Sequence, residues 1–123
     1  MAIQNLTAAD FESTVTGNSI VLVDFWAAWC GPCRAFAPTF EAASTTHSDI
    51  VFGKVDTEAE RELAEAARIR SIPTLMAFRD GVQVFSQPGA LRPADLERLI
   101  GQVRALDMDA VRSRLANQQS AGV

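Results

Sequence analysis

The stretch Ser19 to Trp26, read Ser-Ile-Val-Leu-Val-Asp-Phe-Trp, constrains this chain more than any other. Its apolar, largely β-branched residues fall on consecutive positions. A strand with one wet face alternates apolar and polar residues, and this one has no polar face to offer. It therefore reads as a strand covered on both sides, whose ordinary place is the centre of a parallel sheet. An α/β architecture follows.

The flanking segments agree. Thr7 opens a helical stretch, with Asp10 as a capping-box partner and Gly17 at its end. Cys30-Gly31-Pro32-Cys33 comes within a few residues of the strand. Pro32 suits the first turn of a helix, where its missing N–H is no loss. That helix is expected to run to about Thr46, kinked at Pro38. Ile50 to Val55 reads as a second strand, and the Ala- and Glu-rich Glu58 to Arg68 as a helix. Strand, helix, strand gives a parallel pair joined by a right-handed crossover. Past Pro73, Thr74 to Phe78 and Val82 to Phe85 flank Asp80-Gly81, a hairpin signal. Arg92 to Leu106 carries Leu96, Leu99, Ile100 and Val103 on one stripe, an amphipathic helix. Residues 1–106 are expected to form the domain and 107–123 an extension. In the extension, Val111 and Leu115 fit one short helix, and Asn117 to Val123 a loose tail.

With 123 residues the chain is one domain, large enough for one real core. Its 11 basic and 15 acidic residues give a net charge of −4, which argues against nucleic acid as a partner. The densest apolar run, Ile20 to Val23, is four residues long, against about 20 for a membrane span. The first basic residue is Arg34, so neither a secretory nor a transit signal fits, and the expected compartment is the cytoplasm.

Cys30 and Cys33 are the whole cysteine complement, and His47 is the one histidine. The cytoplasm keeps thiols reduced, so a structural staple is not expected. Zinc and iron–sulfur sites take about four ligands, more than these residues supply. Redox chemistry remains. A thiolate attacks disulfides, and a helix N-terminus favours an anion at Cys30. Residues three apart on a helix have Cβ atoms about 5–6 Å apart, a small adjustment from bonding distance. Cys30 comes first and is the less covered, which makes it the nucleophile and Cys33 the resolving thiol. Asp24 interrupts the apolar strand. Burial there disfavours its ionised form and suits it to hold or take the Cys33 proton; a strand-end carboxylate satisfied by backbone N–H groups is the equal alternative. Lys54, the only lysine, tunes Asp24 if the two meet inside the sheet and is otherwise a solvated strand residue. His47 is expected at the surface, at a helix end.

Together, Val21 to Arg34 with its Trp29-Cys30-Gly31-Pro32-Cys33 core, Ile69-Arg70-Ser71-Ile72-Pro73-Thr74, Asp80-Gly81 and Pro88-Gly89-Ala90 resemble the thioredoxin family over about residues 3 to 106. The resemblance implies a mixed sheet of five strands flanked by four helices. It implies an exposed Cys30, a buried Cys33, a buried Asp24–Lys54 pair behind them, and a cis peptide bond before Pro73. Trp29, Gly31, Pro32, Ile72, Pro73, Gly89 and Ala90 would form an apolar surface for an extended client segment, with Ile72 offering its backbone. The implied activity is reduction of protein disulfides by a monomer that binds no cofactor. Its electrons would come from NADPH through a separate thioredoxin reductase. Gly-Pro between the cysteines is the pattern of the family's reductants. An oxidase or isomerase, or a binding module without turnover, are the alternatives on the same scaffold. Arg34, Ala28 and Thr57 depart from common family residues, which bears on client choice.

Overall fold

The computed structural model describes residues 3–121. Along them run β1 (Ile3–Asn5), α1 (Phe11–Thr16), β2 (Ile20–Trp26), α2 (Gly31–Thr46), β3 (Val51–Asp56), α3 (Arg61–Ala66), β4 (Thr74–Arg79), β5 (Val82–Pro88), α4 (Pro93–Ala105) and α5 (Met108–Ala121). The strands form one sheet in the order β1-β3-β2-β4-β5. β1 and β2 lie parallel to β3, whereas β4 runs antiparallel to β2 and β5 antiparallel to β4. The strand with no polar face is thus the middle one, and its residues 20 to 25 are all buried.

Each face of the sheet has its own core. On one side Leu22, Phe52 and Leu75 meet Phe36 and Phe40 of α2 and Leu96, Leu99 and Ile100 of α4. Phe40 packs against Phe36 and Phe52, with ring centroids 5.7 and 5.2 Å apart. On the other side Val21, Val23, Phe25 and Phe78 pack against Phe11 and Val15 of α1 and Leu63 of α3. Alternate residues of β2 serve opposite cores, which is why its sequence carries no period of two.

Most expected elements are present, and α2 runs unbroken through Pro38. Asp10 closes the turn before α1 by accepting the Thr7 N–H at 2.7 Å, and its side chain makes no capping bond to α1 itself. Asp80 and Gly81 turn the hairpin with φ of 52° and 80°. Four differences have physical causes. β1 was not expected from its residues, and three positions ordered by pairing with β3 carry no periodicity of their own. α3 covers only part of Glu58 to Arg68. The Asp56 carboxylate takes the Glu58 and Ala59 N–H groups into a turn, and Arg68, at φ 60°, ends the helix. Residues 117 to 121, expected as loose, continue α5; residues 122 and 123 lie outside the described residues. His47 is half-buried, bridging Glu97 (Nε2 to Oε1, 2.8 Å) and Arg104 (Nδ1 to Nη2, 3.1 Å) between the end of α2 and α4.

Candidate active site

β2 delivers the chain to the site through Ala27, Ala28 and Trp29, and α2 begins there. Cys30 is the N-cap of α2, with extended backbone, and its Sγ accepts the Cys33 N–H at 3.2 Å. A serine or aspartate oxygen usually takes this orphan amide; here a sulfur does. Cys30 and Cys33 are joined as a disulfide, with Cα atoms 5.2 Å apart, so the structure is the oxidised form. In the reduced form the same amide and the helix N-terminus favour an anion on Cys30. Arg34 holds the preceding loop by donating to the Ala28 carbonyl at 2.8 Å.

The exposed Cys30 that the resemblance implied is not what the structure shows. Cys30 is 4 % exposed and Cys33 2 %, packed with Ala27 against Trp26 and Ile72. The Ile72 carbonyl oxygen lies 3.7 Å from Cys30 Sγ. What separates the two cysteines is the direction of opening. Cys30, and not Cys33, lines a groove of about 480 Å³ together with Trp29, Gly31, Pro32, Thr57 and Ile72. Trp29 stands at its rim, 67 % exposed.

The Ile72–Pro73 peptide bond is cis, as expected. Thr74 Oγ1 donates to the Ser71 carbonyl at 2.6 Å, and the Pro73 carbonyl accepts the Gly89 N–H at 2.8 Å. Gly89 reaches that position at φ 100°, a conformation glycine adopts without strain. Gly89 and Ala90 are exposed beside the groove and do not line it, and Pro73 is buried behind it. Arg70 and Ser71 do line it and were not singled out in the sequence, although their place next to Ile72-Pro73 was the available signal. Thr57 closes one wall, with both its N–H and its hydroxyl donating to the Trp26 carbonyl at 2.9 and 3.0 Å.

Asp24 and Lys54 are register partners on β2 and β3, and Leu75 is the partner of Asp24 on β4. Leu75 packs in the core under α2, so Asp24 sits on that same face. Asp24 is completely buried, and neither carboxylate oxygen has a hydrogen-bond partner among the described residues. The reading in which backbone N–H groups satisfy it is therefore overturned. Desolvation pushes its pKa up to about 6, opposed by the positive charge of Lys54. The buried Asp24–Lys54 pair needs correction as well. Lys54 is half-buried and forms no ion pair among the described residues; its ammonium lies 4.5 Å from the centroid of the Trp26 ring.

Among the described residues no group of three or more His, Cys, Asp or Glu side chains could hold a metal ion. No described helix is long and apolar enough to cross a membrane.

Comparison with known proteins gives one answer. The thioredoxin family model matches residues 2–102. A Streptomyces coelicolor protein described as putative thioredoxin 2 is 58 % identical over 115 residues, covering 94 % of this chain and 86 % of its own length. Thioredoxin-1 of Schizosaccharomyces pombe is 41 % identical over 93 residues, 76 % of this chain and 89 % of its own. Among solved structures, Plasmodium falciparum thioredoxin is similar with a TM-score of 0.75 at 38 % identity, covering 80 % of this chain and 97 % of its own. Malassezia sympodialis thioredoxin gives 0.76 at 32 %, covering 85 % and 96 %. This chain therefore belongs to the thioredoxin family and is a thiol–disulfide oxidoreductase, reducing the disulfides of client proteins in partnership with a reductase.

Proposed function

We propose that Cys30 is the attacking thiolate of this reductase, Cys33 its resolving thiol and Asp24 the group that handles the Cys33 proton. The Cys30 thiolate attacks one sulfur of a client disulfide, forming a mixed disulfide and expelling the other client sulfur as a thiolate. Cys33 then gives its proton to the Asp24 carboxylate and attacks Cys30 Sγ. The Cys30–Cys33 disulfide forms, and the second client sulfur leaves with the electron pair. The client has gained two electrons and the protein has lost two. They return from NADPH through a separate thioredoxin reductase, since no cofactor motif is legible in this chain. The protein works as a cytoplasmic monomer, carrying electrons to clients without a membrane or nucleic-acid partner. The groove beside Cys30, lined by Trp29, Gly31, Pro32 and Ile72 with the buried cis Pro73 behind them, seats an extended client segment. Gly89 and Ala90 meet that segment beyond the groove, and Ile72 offers it main-chain hydrogen bonds.

Two observations carry the order of attack. Cys30 Sγ accepts the Cys33 N–H at 3.2 Å, and Cys30 is the cysteine that lines the groove. The test is a trap. Cys33→Ser mixed with a disulfide-bearing client should accumulate a mixed disulfide on Cys30, whereas Cys30→Ser should accumulate none. A mixed disulfide formed only by Cys30→Ser, on Cys33, contradicts the assignment.

A further inference from the structure

Three groups around the buried end of β2 and β3 make an arrangement that the sequence pattern did not foretell. Asp24 is buried, and neither of its carboxylate oxygens has a partner among the described residues. Lys54 is its register partner on the neighbouring strand, so both side chains leave the sheet on the same side. Trp26, two residues along β2 from Asp24, leaves on that side too. An acid and an ammonium placed like this usually pair. Here the Lys54 ammonium lies 4.5 Å from the Trp26 ring centroid and makes no ion pair among the described residues.

The surrounding groups explain the outcome. The π-face of an indole attracts a cation, and it does so without requiring the ammonium to enter the dry space around Asp24. Lys54 is half-buried and keeps part of its contact with solvent. Asp56, the register partner of Trp26, is the nearest alternative anion on β3, and its carboxylate is committed to the Glu58 and Ala59 N–H groups at 2.9 and 3.4 Å. From β4 the partner of Asp24 is the apolar Leu75, and from α2 the titratable groups are the two cysteines, here joined as a disulfide. Trp26 itself is fixed by packing on the Ala27, Cys30 and Cys33 cluster.

We propose that Trp26 is a positioning residue that holds the Lys54 ammonium on its ring face and away from the Asp24 carboxylate, leaving that acid without an ion-pair partner. Trp26 thereby sets how readily Asp24 keeps a proton. This deepens the proton-handling role proposed for Asp24. An acid paired with an ammonium would hold its proton less tightly and be a poorer acceptor for the Cys33 proton near neutral pH.

The test uses the oxidised protein, in which the cysteines do not titrate. The Asp24 carboxyl carbon is followed by NMR across pH in the wild type, Trp26→Leu, Lys54→Met and the double variant. Loss of the ring frees Lys54 to reach Asp24, so Trp26→Leu should lower the Asp24 midpoint by about one pH unit, a tenfold change in proton affinity. In the Lys54→Met background the same substitution should shift it less than about threefold, because no ammonium is left to relocate. An equal drop in both backgrounds means that water entering the space left by the ring is the cause, and it overturns the proposal. No drop in either background overturns it as well. A second measurement needs no variant. In the wild type the Lys54 Cε protons should be shifted upfield by the indole ring current while Asp24 is protonated, and an ordinary lysine shift contradicts the arrangement. Neither readout involves turnover. Failure of Asp24 as the proton acceptor would therefore leave this result standing, and failure here would leave the order of attack untouched.

Discussion

At Asp24 the fold keeps a carboxyl group away from water without a hydrogen bond from any described residue, and stability must depend on pH as a result. The unfolded chain releases this proton near the ordinary 3.8, the folded protein near about 6. Below about pH 4 both states hold the proton and its burial makes no pH-dependent difference. Between those values the unfolded state ionises first, so stability falls as pH rises. Above about pH 6 the loss is complete, and a shift of about two units corresponds to about 3 kcal/mol. Asp24→Asn removes the ionisation. Its stability relative to wild type should rise by up to about 3 kcal/mol between pH 4 and pH 6 and then stay level, as read by urea unfolding of the oxidised proteins at fixed pH. A difference that does not change with pH contradicts the burial argument. The same substitution should slow resolution of the mixed disulfide at neutral pH. The sequence made Asp24 conspicuous because one acid interrupted an apolar run. It left open whether backbone groups satisfied that acid, since the hydrogen-bond inventory of a strand end depends on neighbours that only the folded sheet supplies.

Among the elements, α2 is the one whose start and packing decide the site. Phe36 and Phe40 hold it to the sheet while Cys30 caps it. Phe40→Ala should cost about 3–5 kcal/mol, because the ring is completely buried between Phe36 and Phe52 and its loss leaves a cavity. Chemical unfolding measures this directly. α5 is the element the sequence under-read. Its start was encoded, since the Asp107 carboxylate accepts the Asp109 and Ala110 N–H groups at 3.1 and 3.2 Å. Its anchorage was not, because it comes from distant residues. Met108 is buried, and Arg112 reaches Asp80 of the hairpin at 3.8 Å. Removing residues 107–123 should therefore cost about 1–3 kcal/mol, mostly for the buried Met108, and lower the thermal midpoint. Client reduction should be unchanged, since no described residue of α5 lines the groove at Cys30. β2, α2, the hairpin and α4 were legible because each carries a local signal: an unbroken apolar run, a helix-start proline, Asp-Gly, a 3.6-residue stripe. β1 and the short α3 were not, because pairing with β3 and the Asp56 turn determine them.

Over the whole molecule, two cores clamp a central strand and present its C-terminal end, the α2 cap and the cis Pro73 together at one end of the sheet. The cysteine pair and its helix were readable from spacing. The near-complete burial of Cys30 was not, because Ile72, 42 residues away in the chain, comes to cover it. A client therefore has to enter the groove to reach the sulfur, and the exposed Trp29 at the rim should carry much of that docking. Trp29→Ala should lower kcat/KM for a protein disulfide by about tenfold or more, with little change in stability. An unchanged kcat/KM would remove Trp29 from the docking surface. The central claim is that Cys30 is the sulfur held ready as an anion, and differential alkylation tests it most directly. The fully reduced protein is given limiting iodoacetamide at pH 7 and the modified peptide identified by mass spectrometry. The account predicts label on Cys30, with a rate that reaches its plateau below the ordinary thiol pKa of about 8.5. Label on Cys33 with Cys30 spared would contradict it.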